Sequence, residues 1–177
     1  DITRQQVGQK LKWQGSLVSM VLSPGGDIVA CGSQDNSVHF WRRSTGLDAE
    51  MTGYPGKPSQ LAFDQGGQFL ATGGSDQITV WNFQGSGPEG SMPGQLVLHP
   101  EAISTLSFAN QGLILASGAR DGSVLVWLLD QNGDGNPLGA AFVGEKISSL
   151  CWKPDDTAVA ALDANGGVAL WPFKIRQ

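Results

Sequence analysis

The sequence predicts an all-β propeller: four blades of four antiparallel strands, set side by side. Three observations lead there. Trp41, Trp81, Trp127 and Trp171 close four stretches of alternating apolar residues, at intervals of 40, 46 and 44 residues. Each stretch is interrupted at two places by Gly, Asn, Asp or Pro, the residues of tight turns. Helical periodicity of any length is absent, while 25 glycines supply the turns that an all-β repeat chain needs. A period in the forties with a sheet per unit belongs to blades, because a single blade cannot bury its own faces and must stack on a neighbour.

The most regular unit is 103–127, ISTLSFANQGLILASGARDGSVLVW. An alternating run over 103–108 is followed by the break at 110–112, and two further runs over 113–117 and 124–127 flank Arg120-Asp121-Gly122. Period-two alternation cut by such breaks predicts three antiparallel strands. Ala116-Ser117-Gly118 narrows the middle strand, as suits a strand covered on both faces.

Taken in order, residues 1–6 are polar and 7–13, VGQKLKW, alternates like a strand. The first repeat occupies 17–41, turns at Ser23-Pro24-Gly25-Gly26, and should be followed by an outer strand at 47–54. The second occupies 58–81 and is one residue short between Asp76 and Trp81. Residues 84–94 are rich in Gly, Ser and Pro and predict a long surface loop leading to an outer strand at 95–98. After the third repeat, Asp130-Gln131-Asn132-Gly133-Asp134-Gly135 has the first half of a calcium loop, but its twelfth position is Ala141. Without the bidentate carboxylate, a polar hairpin turn before an outer strand near 138 is the better account. The fourth repeat occupies 147–171, and the chain stops at Gln177 without room for a fourth strand.

These features resemble the WD-repeat family over essentially the whole chain. The matching residues are Trp41, Trp81, Trp127 and Trp171, the turn residues Asp35, Asp76 and Asp121, and the segments CGS, TGG and SGA before those turns. The resemblance implies a buried polar network in each blade, and the third repeat has all four of its residues: His99, Ser117, Asp121 and Trp127. In that pattern His99 donates to Asp121, and Ser117 links His99 to Trp127. Other blades depart from it. Trp13 and Tyr54 stand at histidine positions, Cys31 stands at a Ser or Thr position, and the fourth blade carries Val143, Ala161 and Asn165.

In the family's arrangement the outer strand of one blade precedes the inner three of the next, so 7–13 is an outer strand with no blade of its own. The domain is then one propeller region over 1–177, part of a larger ring of seven or eight blades. It is either the C-terminal portion of a longer chain or one half of a homodimer; a self-closed ring of four would crowd the axis. An open array exposes apolar flanks and a bare edge over 171–175, which calls for a partner surface.

Composition narrows the functional classes. A formal net charge of −5, with 11 Lys plus Arg and no basic cluster longer than Arg42-Arg43, argues against nucleic acid as partner. No run approaches the ~18 apolar residues of a membrane span. Cys31 and Cys151 lack metal spacing and read as buried free thiols, which favours the cytoplasm. No metal or cofactor is implied. His99, Ser117 and Asp121 invite a hydrolase reading, but no nucleophile elbow, G-x-S-x-G, occurs and the network reading is the stronger. A non-catalytic scaffold that binds proteins or peptides through its rim loops is the expectation; a regulatory propeller attached to another domain is the alternative. The rim residues expected to bind are Trp13, Tyr54, Lys57, Glu101, Arg120, Glu145 and Lys146, with the aromatics and Arg120 as anchors.

Overall fold

The computed structural model describes residues 2–174 and, among them, contains strands and no helix. Blade one comprises β1 (Leu17–Leu22), β2 (Ile28–Ser33), β3 (Val38–Arg42) and β4 (Leu47–Met51). Blade two comprises β5 (Gln60–Phe63), β6 (Phe69–Gly73), β7 (Gln77–Asn82) and β8 (Gly94–Val97). Blade three comprises β9 (Ile103–Phe108), β10 (Ile114–Ala119), β11 (Ser123–Leu129) and β12 (Gly135–Phe142). Blade four has β13 (Ile147–Trp152), β14 (Ala158–Asp163) and β15 (Val168–Pro172) only. Each sheet is an antiparallel meander in chain order, so each outer strand follows the inner three to which it pairs.

Turn chemistry fixes the meander. The bottom turns place Gly26, Gly67 and Gly112 at φ of 71°, 68° and 70°, a left-handed backbone that glycine enters most easily and Asn or Asp next. Asp156 takes the same conformation in blade four at φ 57°. Its carboxylate accepts the backbone N–H groups of Asn110 (2.9 Å) and Gln111 (2.8 Å), so it fastens blade four to blade three.

The inner strands β1, β5, β9 and β13 follow one another along the axis, and the cores lie between successive blades. Between blades one and two, Val38, Phe40 and Ala30 meet Phe63, Leu70 and Trp81. Between two and three, Ile78, Val80 and Ala71 meet Ile103, Leu115 and Trp127. Between three and four, Val124, Val126 and Ala116 meet Ile147, Leu150 and Val159. Each fully buried Val, Leu, Ile or Phe contributes about 1.5–3 kcal/mol, so these joints, and not the isolated sheets, hold the arc.

No comparable packing joins β13 back to β1, and the arc is open. Met20 and Leu22 on β1 face outward at one end, and Val168 and Leu170 on β15 at the other. Among the described residues the outer edge of β15 is unpaired through Pro172; the expected extension of that edge to Ile175 lies outside them.

Two expectations need correction. Residues 7–13 are not a strand: they pair with no sheet edge, the open edge of β15 lying at the other end of the arc, and alternation without a partner supplies no ladder hydrogen bonds. The segment instead lies against blade one, where the Trp13 ring stacks on His39 (centroids 3.7 Å apart, 25° between planes) and Arg43 Nε–H donates to Gln9 Oε1 at 3.1 Å. Cys151 is exposed, whereas Cys31 is buried. The β13 pleat turns Leu150 and Trp152 toward blade three and Cys151 to the opposite face, which no further blade covers.

Candidate functional site

Blade three carries a continuous hydrogen-bonded chain across its buried face. Trp127 Nε1–H donates to Ser117 Oγ at 2.8 Å, and Ser117 Oγ lies 2.7 Å from His99 Nε2. His99 Nδ1 lies 2.7 Å from Ser123 Oγ, whose O–H reaches Asp121 Oδ1 at 2.7 Å. Donor supply orders the protons. A carboxylate only accepts, so Ser123 donates to Asp121 and must accept from His99 Nδ1–H. His99 Nε2 is then the acceptor for the Ser117 O–H.

The expected direct bond from His99 to Asp121 is therefore replaced by a bridge through Ser123. That residue was missed in the sequence, although the signal was there: Asp35 and Ser37 have the same spacing, and Ser37 Oγ–H donates to Asp35 Oδ1 at 2.7 Å. Burial pulls the His99 pKa down to about 4 against the opposing pull of Asp121, so the ring is neutral, as the proton order requires. Burial works against the charge of Asp121, yet the O–H and N–H of Ser123 hold its carboxyl below the usual value. Ser117 is fully buried and His99 nearly so, with every polar hydrogen of the chain directed inward. A nucleophile needs an approach for substrate, and Ser117 has none.

The other blades solve the same position differently. In blade two, Trp81 Nε1–H donates to the Tyr54 hydroxyl at 2.7 Å, and burial raises the Tyr54 pKa to about 12. In blade one, His39 is sandwiched by Trp13 and the edge of Trp41 (centroids 4.4 Å, 70°), and burial lowers its pKa despite Asp48 and Glu50. Its Nε2 approaches Asp48 at 3.5 Å without hydrogen-bond geometry, leaving both ring nitrogens and Trp13 Nε1 buried and unpartnered. In blade four, Val143 and Ala161 pack into the joint as apolar residues.

Trp13 and Tyr54 are thus half-buried blade-packing groups, not free rim anchors. The remaining rim candidates, Lys57, Glu101, Arg120, Glu145 and Lys146, are exposed, and the connections that carry them gather at one end of the blades. Backbone bonds tie these connections together: Arg120 N–H to Ala102 O (3.0 Å), Val143 N–H to Gly122 O (3.0 Å) and Ala164 N–H to Lys146 O (2.8 Å). At the other end, Asp130 Oδ1 accepts the N–H of Asn132 (2.8 Å) and of Asp134 (3.1 Å), closing the 130–135 segment as a side-chain-capped turn. Among the described residues no group of three His, Cys, Asp or Glu is placed to hold a metal ion.

The family model for the WD domain, G-beta repeat, matches residues 6–42, 49–82 and 90–127. This chain belongs to the WD-repeat family. The fourth unit lies outside the matched residues, in keeping with its loss of the polar network, and is a blade by its sheet alone. Among curated relatives, Actin-interacting protein 1 of Caenorhabditis elegans is 25% identical over 160 residues, 87% of this chain and 26% of that protein. COMPASS component SWD3 of Saccharomyces cerevisiae is 29% identical over 195 residues, 99% of this chain and 61% of that protein. The chain therefore spans only part of the length of these WD-repeat relatives. Among solved structures, Saccharomyces cerevisiae Sqt1 aligns with a TM-score of 0.79 at 24% identity, over 91% of this chain and 45% of that one. The computationally designed Ika4 protein aligns with a TM-score of 0.76 at 24% identity, over 95% of this chain and 100% of that one.

Proposed function

We propose that the chain is a non-catalytic interaction module that presents the rim carrying Lys57, Glu101, Arg120, Glu145 and Lys146 to another protein or peptide. The observation that carries this reading is the self-contained network of blade three: its Ser, His and Asp are used up on one another, with His99 and Ser117 buried. The rim, by contrast, faces outward. Among the described residues its five charged side chains take part in no ion pair, so their charge is available to a partner. Both signs alternate there, and the net charge of −5 favours a protein over a nucleic-acid backbone. Two free thiols, Cys31 and Cys151, suit a reducing, cytoplasmic setting.

The test is capture from an extract of the source organism by the wild type, by Lys57→Ala/Arg120→Ala/Lys146→Ala, and by Lys153→Ala on a turn at the opposite end. Loss of the captured proteins with the rim variant alone supports the assignment. Equal capture by all three moves the partner surface elsewhere, and a hydrolytic activity that depends on Ser117 would end the non-catalytic reading.

A further inference from the structure

Three joints of one design hold the four blades. At each, a glycine of the second strand lies under the first residue of the following blade. A Cβ on Gly73 would stand 2.8 Å from Ile103 Cγ2, one on Gly118 2.6 Å from Ile147 Cγ2, and one on Gly32 would run into the Pro58 carbonyl. All three approaches are closer than a real Cβ makes, so glycine is what allows these blades to meet.

The register identifies the fourth member of the series. Ser19 pairs with Gly32, Gln60 with Gly73 and Thr105 with Gly118; in blade four Ser149 pairs with Leu162. Otherwise blade four's open face has the character of a gripping face. Val168 and Leu170 hold the places that Val38 and Phe40, Ile78 and Val80, and Val124 and Val126 hold in the other blades. Those six are buried, whereas Val168 is 75% and Leu170 68% exposed. The face continues an interface used three times within the chain, with one residue changed at its tightest point.

We propose that Leu162 determines which blade can pack there: it excludes a second copy of this chain and admits a WD-type blade whose inner strand begins with Gly. A second copy would present Leu17, the counterpart of Pro58, Ile103 and Ile147 at the head of the inner strand. Leu162 and Leu17 would then compete for a space that, at the Gly73 and Gly118 joints, takes one isoleucine side chain opposite a glycine. A blade with Gly at its head reverses the arrangement, because the single side chain comes from blade four and the joint keeps its volume; exchanges that conserve volume are the ones packed interfaces tolerate. The inference is independent of the rim reading, since the open flank and the rim share none of the residues invoked.

Leu162 is 41% and Leu17 42% exposed, so both can be changed without opening a core. The full chain, Leu162→Gly, Leu17→Gly and the double variant are compared by light scattering across a concentration series, with circular dichroism as the folding control. The wild type should remain at 18.6 kDa at concentrations where either single variant self-associates, about tenfold or more tightly. The double variant, with no side chain to fill the joint, should associate more weakly than either single one. Wild-type assembly as tight as that of Leu162→Gly would overturn the proposal, and so would single variants that both stay monomeric.

Discussion

His99→Ala removes the centre of the blade-three chain, and its cost can be worked out link by link. The ring is 4% exposed and holds two partners at 2.7 Å each. Without it the Ser117 O–H has only Leu125 O, at 3.5 Å, as an acceptor within reach. A buried hydroxyl left unpaired costs roughly 1–3 kcal/mol, and truncating a buried ring adds a cavity term, for a total of about 3–5 kcal/mol. In a chain of this size that lowers Tm by about 10 °C. Ser123→Ala is the control. It removes the bridge to Asp121 and leaves His99 Nδ1–H without its acceptor, but opens no ring-sized cavity, and should cost about 1–3 kcal/mol. Urea unfolding followed by tryptophan fluorescence reads both. A His99→Ala midpoint indistinguishable from the wild type, or equal effects of the two substitutions, would refute the reasoning.

Acid should act through the same residue. The folded His99 pKa is about 4 against an ordinary 6.5, so the unfolded chain binds more protons between these values. Stability is then complete above about pH 6.5 and falls toward pH 4 by about 3 kcal/mol, a loss that should flatten in His99→Ala when unfolding free energy is measured against pH. Tyr54 is the only tyrosine, so the phenolate absorbance band should emerge near pH 12 in the folded protein and near pH 10 in urea; coincident titrations would contradict its burial between blades one and two, which raises the pKa against the opposing pull of the Trp81 hydrogen bond. Gly118→Ala places a methyl against Ile147 and should cost about 1–3 kcal/mol, with Gly118→Ala/Ile147→Ala less destabilised than the sum of its parts in a double-mutant cycle.

The sequence by itself determined the repeat, the strand order and most of the strand positions, because alternation, turn residues and the closing tryptophans are all local signals. It placed outer strands at 47–54 and 95–98, near the observed Leu47–Met51 and Gly94–Val97, since the turn before each is read from neighbouring residues. It also marked His99, Ser117, Asp121 and Trp127 as one set, though not Ser123 between two of them. What tertiary structure alone decided concerns surfaces and partners in space. Residues 7–13 alternate as a strand does, but a strand exists only where another offers its edge. Cys151, like Cys31, sits in an apolar run, and it is exposed because, among the described residues, its face of β13 is uncovered. Tyr54 and Trp13 could be anchors or packing until Trp81 and His39 were found against them. Leu162 is one more apolar residue in an apolar strand until the other three blades show glycine in its place, lying beneath a neighbour more than 25 residues away in the chain.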